Sequence, residues 1–313
     1  MPEYLVTGGA GFIGSHLAEQ FCREGRSVRV IDNLISGKRE NLTPFADRIE
    51  FLQGDLRDPA DCARACAGVG VVLHQAALPS VPKSVADPLA SHGCNLTATL
   101  NLLIAAREAK VRRFVYAASS SAYGESPALP KVESMRSEPK SPYGVQKLAG
   151  EMYCQAFAEC YGLQTICLRY FNVFGPRQDP ASQYAAAIPA FVTRILRGEP
   201  PIVYGDGEQT RDFSYIDNVV HANRLAAAAN ETRGAVLNIA CGAGISINHV
   251  IRRINELLGR SVSPRYEPPR PGDIRHSWAD ISLAERLIGY RPLVSFDEGL
   301  QRSIEWYRGR SGG

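Results

Sequence analysis

Tyr143 and Lys147 stand four residues apart in Ser141-Pro142-Tyr143-Gly144-Val145-Gln146-Lys147, at the start of an Ala-rich helical pattern that runs to about Tyr161. Pro142 suits the first turn of a helix, where its missing N–H costs nothing, and Ser141 before it is a good N-cap. Residues four apart on a helix share a face, so the ammonium can act on the phenol. A free tyrosine titrates at about 10, and an adjacent positive charge favours the phenolate and draws it toward the range of a useful base. Tyr143 is therefore a candidate acid–base, with Lys147 as its electrostatic partner. An isolated Tyr-x-x-x-Lys is also an ordinary surface pair, so its meaning rests on what else converges on it.

A second group of residues could hold a phosphate. Gly8-x-x-Gly11-x-x-Gly14 follows the apolar run Tyr4-Leu5-Val6-Thr7 and opens a helical pattern that continues to Glu24. Ser27 to Asp32 then reads as a strand ending on a carboxylate. Glycines at such a strand-to-helix turn let backbone N–H groups and the helix dipole meet a pyrophosphate. Asp32 is placed to accept hydrogen bonds from a ribose and would repel a 2′-phosphate, which favours NAD over NADP.

The elements that must position these groups alternate. Strand-like runs at Ile49 to Gln53, Val71 to His74, Arg113 to Ala118 and Gln164 to Tyr170 are separated by helical segments near 59–67, 87–109 and 142–161. This alternation predicts an α/β fold with a Rossmann-type doubly wound parallel sheet, in which ligands sit beyond the carboxyl ends of the strands. That rule gathers the glycine turn, Asp32, Asp55, the loop Gln75-Ala76-Ala77, the run Ser119-Ser120-Ser121 and Tyr170-Phe171-Asn172 into one crevice. Tyr143 follows the serine run and should flank it.

Composition excludes other classes. The 313 residues are 45% hydrophobic and 21% charged, which allows a sizeable core, and a net charge of +3 with dispersed Lys and Arg gives no basic stripe for nucleic acid or anionic lipid. The eight cysteines lack Cys-x-x-Cys spacing and the six histidines are scattered, so the reading is reduced thiols and no metal. Met-Pro-Glu-Tyr runs straight into a strand without a secretory leader, and no apolar stretch is long enough for a membrane span. A cytoplasmic protein is expected.

The chain resembles the extended short-chain dehydrogenase/reductases, and among them the nucleotide-sugar 4-epimerases. The resemblance rests on Thr7 to Gly14, Gly54-Asp55-Leu56-Arg57-Asp58, His74-Gln75-Ala76-Ala77, Ser119 to Gly124, Tyr143-x-x-x-Lys147, Arg169 to Pro176, Gly205-Asp206-Gly207, Arg211-Asp212-Phe213 and Arg270-Pro271-Gly272-Asp273. It implies NAD held by Gly8, Gly11, Phe12, Ile13, Gly14, Asp32, Asn33, Asp55, Leu56, Gln75, Ala76, Ala77, Tyr143, Lys147 and Tyr170, with Asp55 and Leu56 at the adenine. It implies Ser119, Tyr143 and Lys147 as catalytic residues, with Tyr143 taking a sugar hydroxyl proton while Ser119 steadies the developing charge.

Members of this family that eliminate water or carbon dioxide carry an acidic residue after the catalytic Ser or Thr. Here those positions are Ser120 and Ser121, which favours 4-epimerisation. The resemblance further implies substrate contacts from Ser120, Ser121, Asn172, Gln178, Tyr204, Arg211, Arg270 and Ser277. The two arginines would hold the diphosphate, for which a guanidinium is well shaped. Ser277 occupies a place where a bulky Tyr would wall off C2 of the sugar, so a 2-acetamido group has room. This points to UDP-N-acetylglucosamine and its 4-epimer, UDP-N-acetylgalactosamine, with UDP-glucose/UDP-galactose as further candidates. Pro79 stands where a Gly is expected in that branch and could narrow the pocket, and UDP-glucuronate is the competing substrate. A non-catalytic NAD-sensing regulator is the reading from a different class. Joint presence of Ser119, Tyr143 and Lys147 speaks against it.

Two interleaved parts are expected: an NAD-binding domain of 1–175 with 213–243 returning to it, and a smaller C-terminal UDP-sugar-binding lobe of 176–212 and 244–313. Helices 87–109 and 142–161 match those that pair two subunits of the family as a four-helix bundle, so a homodimer is expected by resemblance.

Overall fold

The structure, a computed structural model, describes residues 2–180, 187–230, 232–269 and 274–311. In chain order its strands are β1 (Tyr4–Thr7), β2 (Val28–Asp32), β3 (Ile49–Gln53), β4 (Val71–His74), β5 (Arg113–Ser119), β6 (Thr165–Tyr170), β7 (Asn172–Phe174), β8 (Ile202–Tyr204), β9 (Thr210–Arg211), β10 (Phe213–Tyr215), β11 (Ala235–Ile239), β12 (Ile245–Ser246), β13 (Arg265–Glu267) and β14 (His276–Ser277). Its helices are α1 (Phe12–Arg23), α2 (Pro59–Cys66), α3 (Val81–Ala86), α4 (Pro88–His92), α5 (Ala98–Glu108), α6 (Pro142–Tyr161), α7 (Ala187–Leu196), α8 (Ile216–Ala228), α9 (Ile247–Leu258), α10 (Ser282–Ile288) and α11 (Phe296–Ser311).

Seven strands form one parallel sheet in the order β11-β6-β5-β4-β1-β2-β3. From β1 the chain proceeds outward to β2 and β3, and from β4 it proceeds the other way, so the direction of winding switches between β1 and β4. A crevice opens at such a switch because the connections on its two sides leave in opposite directions. Strands β1 and β4 are buried along their whole length, as expected for a sheet covered on both faces. Leu17 and Phe21 of α1 and Val219 and Ala226 of α8 pack in the core on one face. Cys62 of α2, Leu102 and Ala106 of α5 and Phe157 of α6 pack in the core on the other.

The expected helix over 87–109 is not continuous. It opens at Pro88, since a residue before proline is pushed out of the helical region, and Asp87 caps α4 through Ala90 N at 3.0 Å. Residues Gly93–Thr97 then form a π turn before α5 resumes. That extra residue turns the Asn95 amide inward, where its Oδ1 accepts from Leu78 N at 2.7 Å and its Nδ2 donates to Gln146 Oε1 at 2.8 Å. The short α3, capped by Ser80, was not expected. The first part of the helix expected from Tyr184 lies outside the described residues, and the remainder is α7.

Strand β11 pairs with β6 along five residues, and α8 packs on α1. We therefore propose for the folded chain the same interleaved division into two domains. The small sheet β12-β9-β14 places Ser277 directly opposite Arg211. No described helix is long and apolar enough to cross a membrane.

Candidate functional site

The glycine turn is built by exclusion. Gly8 has φ +62°, and a β-carbon on it would lie 2.7 Å from Ala76 Cα. The loop after β4 therefore packs directly on the turn after β1. A β-carbon on Gly11, by contrast, would touch Gly8 O alone, at 3.1 Å, so that side of the turn is open. No side chain caps α1 and no acidic residue lies in its first turn, which leaves the amides of Phe12 and Ile13 available to an anion. Both residues are half-buried. Asp32, at the end of β2, accepts from Ala10 N at 2.9 Å and Leu34 N at 2.8 Å, so its carboxylate is fixed beside the turn.

Behind the crevice runs a buried polar chain. Thr99 Oγ1 donates to Asn95 O at 2.6 Å and so accepts from His74 Nε2 at 2.9 Å. His74 Nδ1 is then the acceptor, taking the Thr7 hydroxyl at 2.7 Å, while Thr7 Oγ1 accepts from Ala76 N at 3.2 Å. Every group in this chain is paired with the imidazole neutral. Burial, aided by Lys147, depresses His74 to about 3. Gln75 is held by Tyr170 and Asn223: its Nε2 lies 3.2 Å from the Tyr170 hydroxyl and 3.1 Å from Asn223 Oδ1. Asn223 Nδ2 donates to Tyr170 at 2.7 Å. Tyr170 is thus a buried support for Gln75, and burial pushes its phenol up to about 12.

The chemical group sits at the ends of β5 and α6. Ser141 caps α6 through Gly144 N at 3.1 Å, and Tyr143 N donates to Ser84 Oγ of α3 at 3.1 Å, which fixes the first turn. Ser119 Oγ accepts from Ser121 N at 3.2 Å and from Ser121 Oγ at 2.9 Å. Its own hydrogen is left free to turn toward the Tyr143 oxygen, and Ser119 is the neighbour that favours the phenolate. Lys147 Nζ donates to Ala117 O at 2.8 Å and lies 5.0 Å from the Tyr116 ring centroid.

One expectation is corrected here. The sequence reading has Lys147 drawing the Tyr143 phenol down, whereas burial pushes it up, with Ser119 as the opposing influence. Lys147 itself is depressed to about 8 by burial, opposed by Glu151. Spacing on a helix reports a shared face and says nothing of desolvation.

Other candidates are arranged less openly than expected. Asp55 is gripped by Arg57 at 3.0 and 2.6 Å and by Asn33 Nδ2 at 3.0 Å, and the Arg57 guanidinium is the main reason its carboxyl falls to about 2. Leu56 is buried against α2 and α5, its carbonyl accepting from Cys62 Sγ at 3.2 Å and Asn101 Nδ2 at 3.2 Å.

On the far side, Ser120 and Ser121 follow β5 in a single helical turn, and Asn172 is exposed at the start of β7. Gln178 Nε2 donates to Val173 O at 3.1 Å while its Oε1 is buried without a partner among the described residues. Arg211 donates to the carbonyls of Thr210 at 2.9 Å and Arg275 at 3.3 Å. Tyr204 is half-buried in β8, and its carbonyl accepts from Gln209 Nε2 at 2.7 Å. Pro79 is exposed between β4 and α3, and Arg270 lies outside the described residues.

Residues 4–240 match the description NAD dependent epimerase/dehydratase family. The chain belongs to that family. Among solved structures, a UDP-N-acetylglucosamine 4-epimerase from Methanobrevibacter ruminantium in complex with UDP-N-acetylmuramic acid is 42% identical, with a TM-score of 0.94 and 99% of this chain and 100% of that one covered. A UDP-glucose 4-epimerase from Thermotoga maritima with UDP-glucose is 39% identical, with a TM-score of 0.94 over 99% of both chains. A UDP-glucose 4-epimerase from Thermus thermophilus in complex with NAD is 37% identical, with a TM-score of 0.90 over 98% of this chain and 99% of that one.

Like other members of the NAD dependent epimerase/dehydratase family, this chain is an NAD enzyme, and its residues fit the dinucleotide. The Gly8–Gly14 turn is closed on the protein side and open on the other, and Asp32 borders it. Sequence reasoning missed the buried polar groups that hold this site in shape: Asn95, Thr99, Gln146, Asn223, Glu151 and Arg169. Their signal is polar residues at four-residue spacing on otherwise apolar helices, as in Asn95 and Thr99 or Lys147 and Glu151.

Proposed function

We propose that this NAD-dependent UDP-sugar 4-epimerase interconverts UDP-N-acetylglucosamine and UDP-N-acetylgalactosamine. The observation that carries the reaction class is Ser119 beside the buried Tyr143, with Ser120 and Ser121 rather than a carboxylate in the turn that follows. Tyr143 takes the proton of the sugar 4-hydroxyl, and Ser119 donates to the oxygen that gains charge. Bound NAD supplies a reversible hydride acceptor at C4. A neighbouring acid would drive elimination; its absence leaves the keto sugar to turn over in the pocket. Tyr143 then returns the proton on completion of the cycle. Gly8, Gly11, Phe12, Ile13 and Gly14 would hold the pyrophosphate, Asp32 and Asn33 a ribose, and Asp55, Leu56, Gln75, Ala76 and Ala77 the surrounding walls, with Lys147 at the nicotinamide end.

Specificity for the acetamido sugar rests on Ser277. The hydroxymethyl side chain of Ser277, opposite Arg211 in the small sheet, is smaller by a whole ring than the tyrosine that would exclude the acetamido group. Gln178 Oε1, without a partner among the described residues, is an acceptor suited to an acetamide N–H. An NMR time course with UDP-N-acetylglucosamine, UDP-glucose and UDP-glucuronate in parallel tests the assignment. Fastest conversion of the acetamido sugar to its 4-epimer is expected. Turnover of UDP-glucose or UDP-glucuronate alone would overturn the specificity, and no turnover with NAD added would return the regulator reading.

A further inference from the structure

Glu151 lies one helical turn beyond Lys147 on α6, as Lys147 lies one turn beyond Tyr143, so the three share a face. Its carboxylate is fully enclosed and takes a bidentate grip from Arg169 of β6, Nε to Oε1 at 2.9 Å and Nη2 to Oε2 at 2.7 Å. Arg169 is itself fixed by the Tyr123 ring 4.6 Å away and by Ser137 Oγ at 3.3 Å. Two buried cations, Lys147 and Arg169, thus flank one buried carboxylate.

The other groups facing Lys147 cannot balance its charge. His74 on β4 is neutral, Tyr116 on β5 presents its ring, Tyr143 is the proton carrier, and Cys154 on α6 and Cys167 on β6 are buried thiols. Desolvation works against the ammonium, and Glu151 is the carboxylate that opposes it.

We propose that Glu151, clamped by Arg169, is a positioning residue that keeps Lys147 protonated through the working pH range and so keeps positive charge beside Tyr143. This rests on the reading of Tyr143 and Lys147 as the acid–base pair.

The test titrates Lys147 directly, by NMR of the cofactor-free protein carrying lysine labelled at Cε, with Lys147→Met identifying the signal. Wild-type protein should titrate near 8. In Glu151→Gln the midpoint should fall by about one pH unit or more, a tenfold change in proton affinity. Because that variant strands Arg169, Glu151→Gln/Arg169→Leu removes both charges and should still titrate well below wild type. Glu151→Asp keeps a folded ion pair with its charge drawn back, and should shift part of the way. A wild-type midpoint in the double variant or in Glu151→Asp would overturn the proposal. The alkaline limb of kcat, measured with saturating NAD, should move with the NMR midpoint while KM for the UDP-sugar holds. A midpoint that falls while the limb stays put would preserve Glu151's control of Lys147 and instead refute the assignment of Lys147 to the chemistry.

Discussion

Gly14 is pressed against the carbonyl of Gly8: a β-carbon on Gly14 would sit 2.2 Å from that oxygen and 2.8 Å from Gly9 Cα. The contact is backbone on backbone, so nothing can swing aside. Gly14→Ala should therefore cost about 1–3 kcal/mol in urea unfolding, the range for overpacking. Gly11→Ala makes a different prediction, since its β-carbon meets Gly8 O at 3.1 Å and otherwise faces open space. It should fold nearly as well as wild type yet bind NAD weakly by calorimetry. Equal stability of the two variants would refute the packing account.

Tyr143→Phe should lower turnover by about 10²–10⁴-fold, the usual contribution of a positioned acid–base group. The ring remains and only the phenol oxygen is lost, so UDP and NAD should still bind with near wild-type affinity. Full activity of this variant would remove the mechanism.

Acid should weaken the fold through two histidines. His74 is held near 3 and His16 near 4, each depressed chiefly by burial, against about 6.5 when unfolded. Both are depressed bases, so the unfolded chain binds more protons between those values and stability rises with pH there. Their contribution is complete above about 6.5 and is lost as pH falls toward 4 and then 3. Urea unfolding at pH 7.5 and pH 5 should show this loss in wild type. His74→Gln, although weaker throughout because it disturbs the Thr7 and Thr99 bonds, should show a shallower dependence.

Ser277→Tyr should close the space beside C2. Turnover of UDP-N-acetylglucosamine should fall by at least about tenfold, while any activity toward UDP-glucose is retained or raised, because a filled hydrophobic wall discriminates by about 1–3 kcal/mol. If both sugars respond alike, residue 277 does not gate the pocket.

We propose that α3, α4 and α6 meet a second copy of the chain. Val85 is 63% exposed, Leu89 85%, Val145 52% and Met152 58%, and these residues lie on three neighbouring helices. An apolar surface of this kind usually marks an interface. Sedimentation should give a dimer for wild type and a monomer for Leu89→Glu/Met152→Glu. A wild-type monomer at micromolar concentration would count against the interface.

Lone Glu151→Gln is expected to destabilise the fold by about 3–5 kcal/mol, because it leaves the Arg169 guanidinium buried without a counter-charge. Thermal unfolding measures this independently of the Lys147 titration, and adding Arg169→Leu should recover part of the loss.

Local chemistry made much of this protein readable from residue order alone. The glycines at 8, 11 and 14, Asp32 at a strand end, and Ser141-Pro142 before Tyr143 each impose a backbone conformation or a cap within a few residues of themselves, so turn, strand and helix follow. Period and alternation then gave the parallel sheet, whose strand order delivers Ser119 and Tyr143 to one crevice. What depends on distant neighbours was not readable. The π turn at Gly93–Thr97 exists because Asn95 reaches Leu78 and Gln146, partners far from it in the chain. Asp55 meets Asn33 because β2 and β3 are adjacent. The proton affinities of Tyr143 and Lys147 are set by how much water the assembled layers exclude, together with Ser119 and Glu151. Desolvation is a property of the packed whole, and only the tertiary structure decided it.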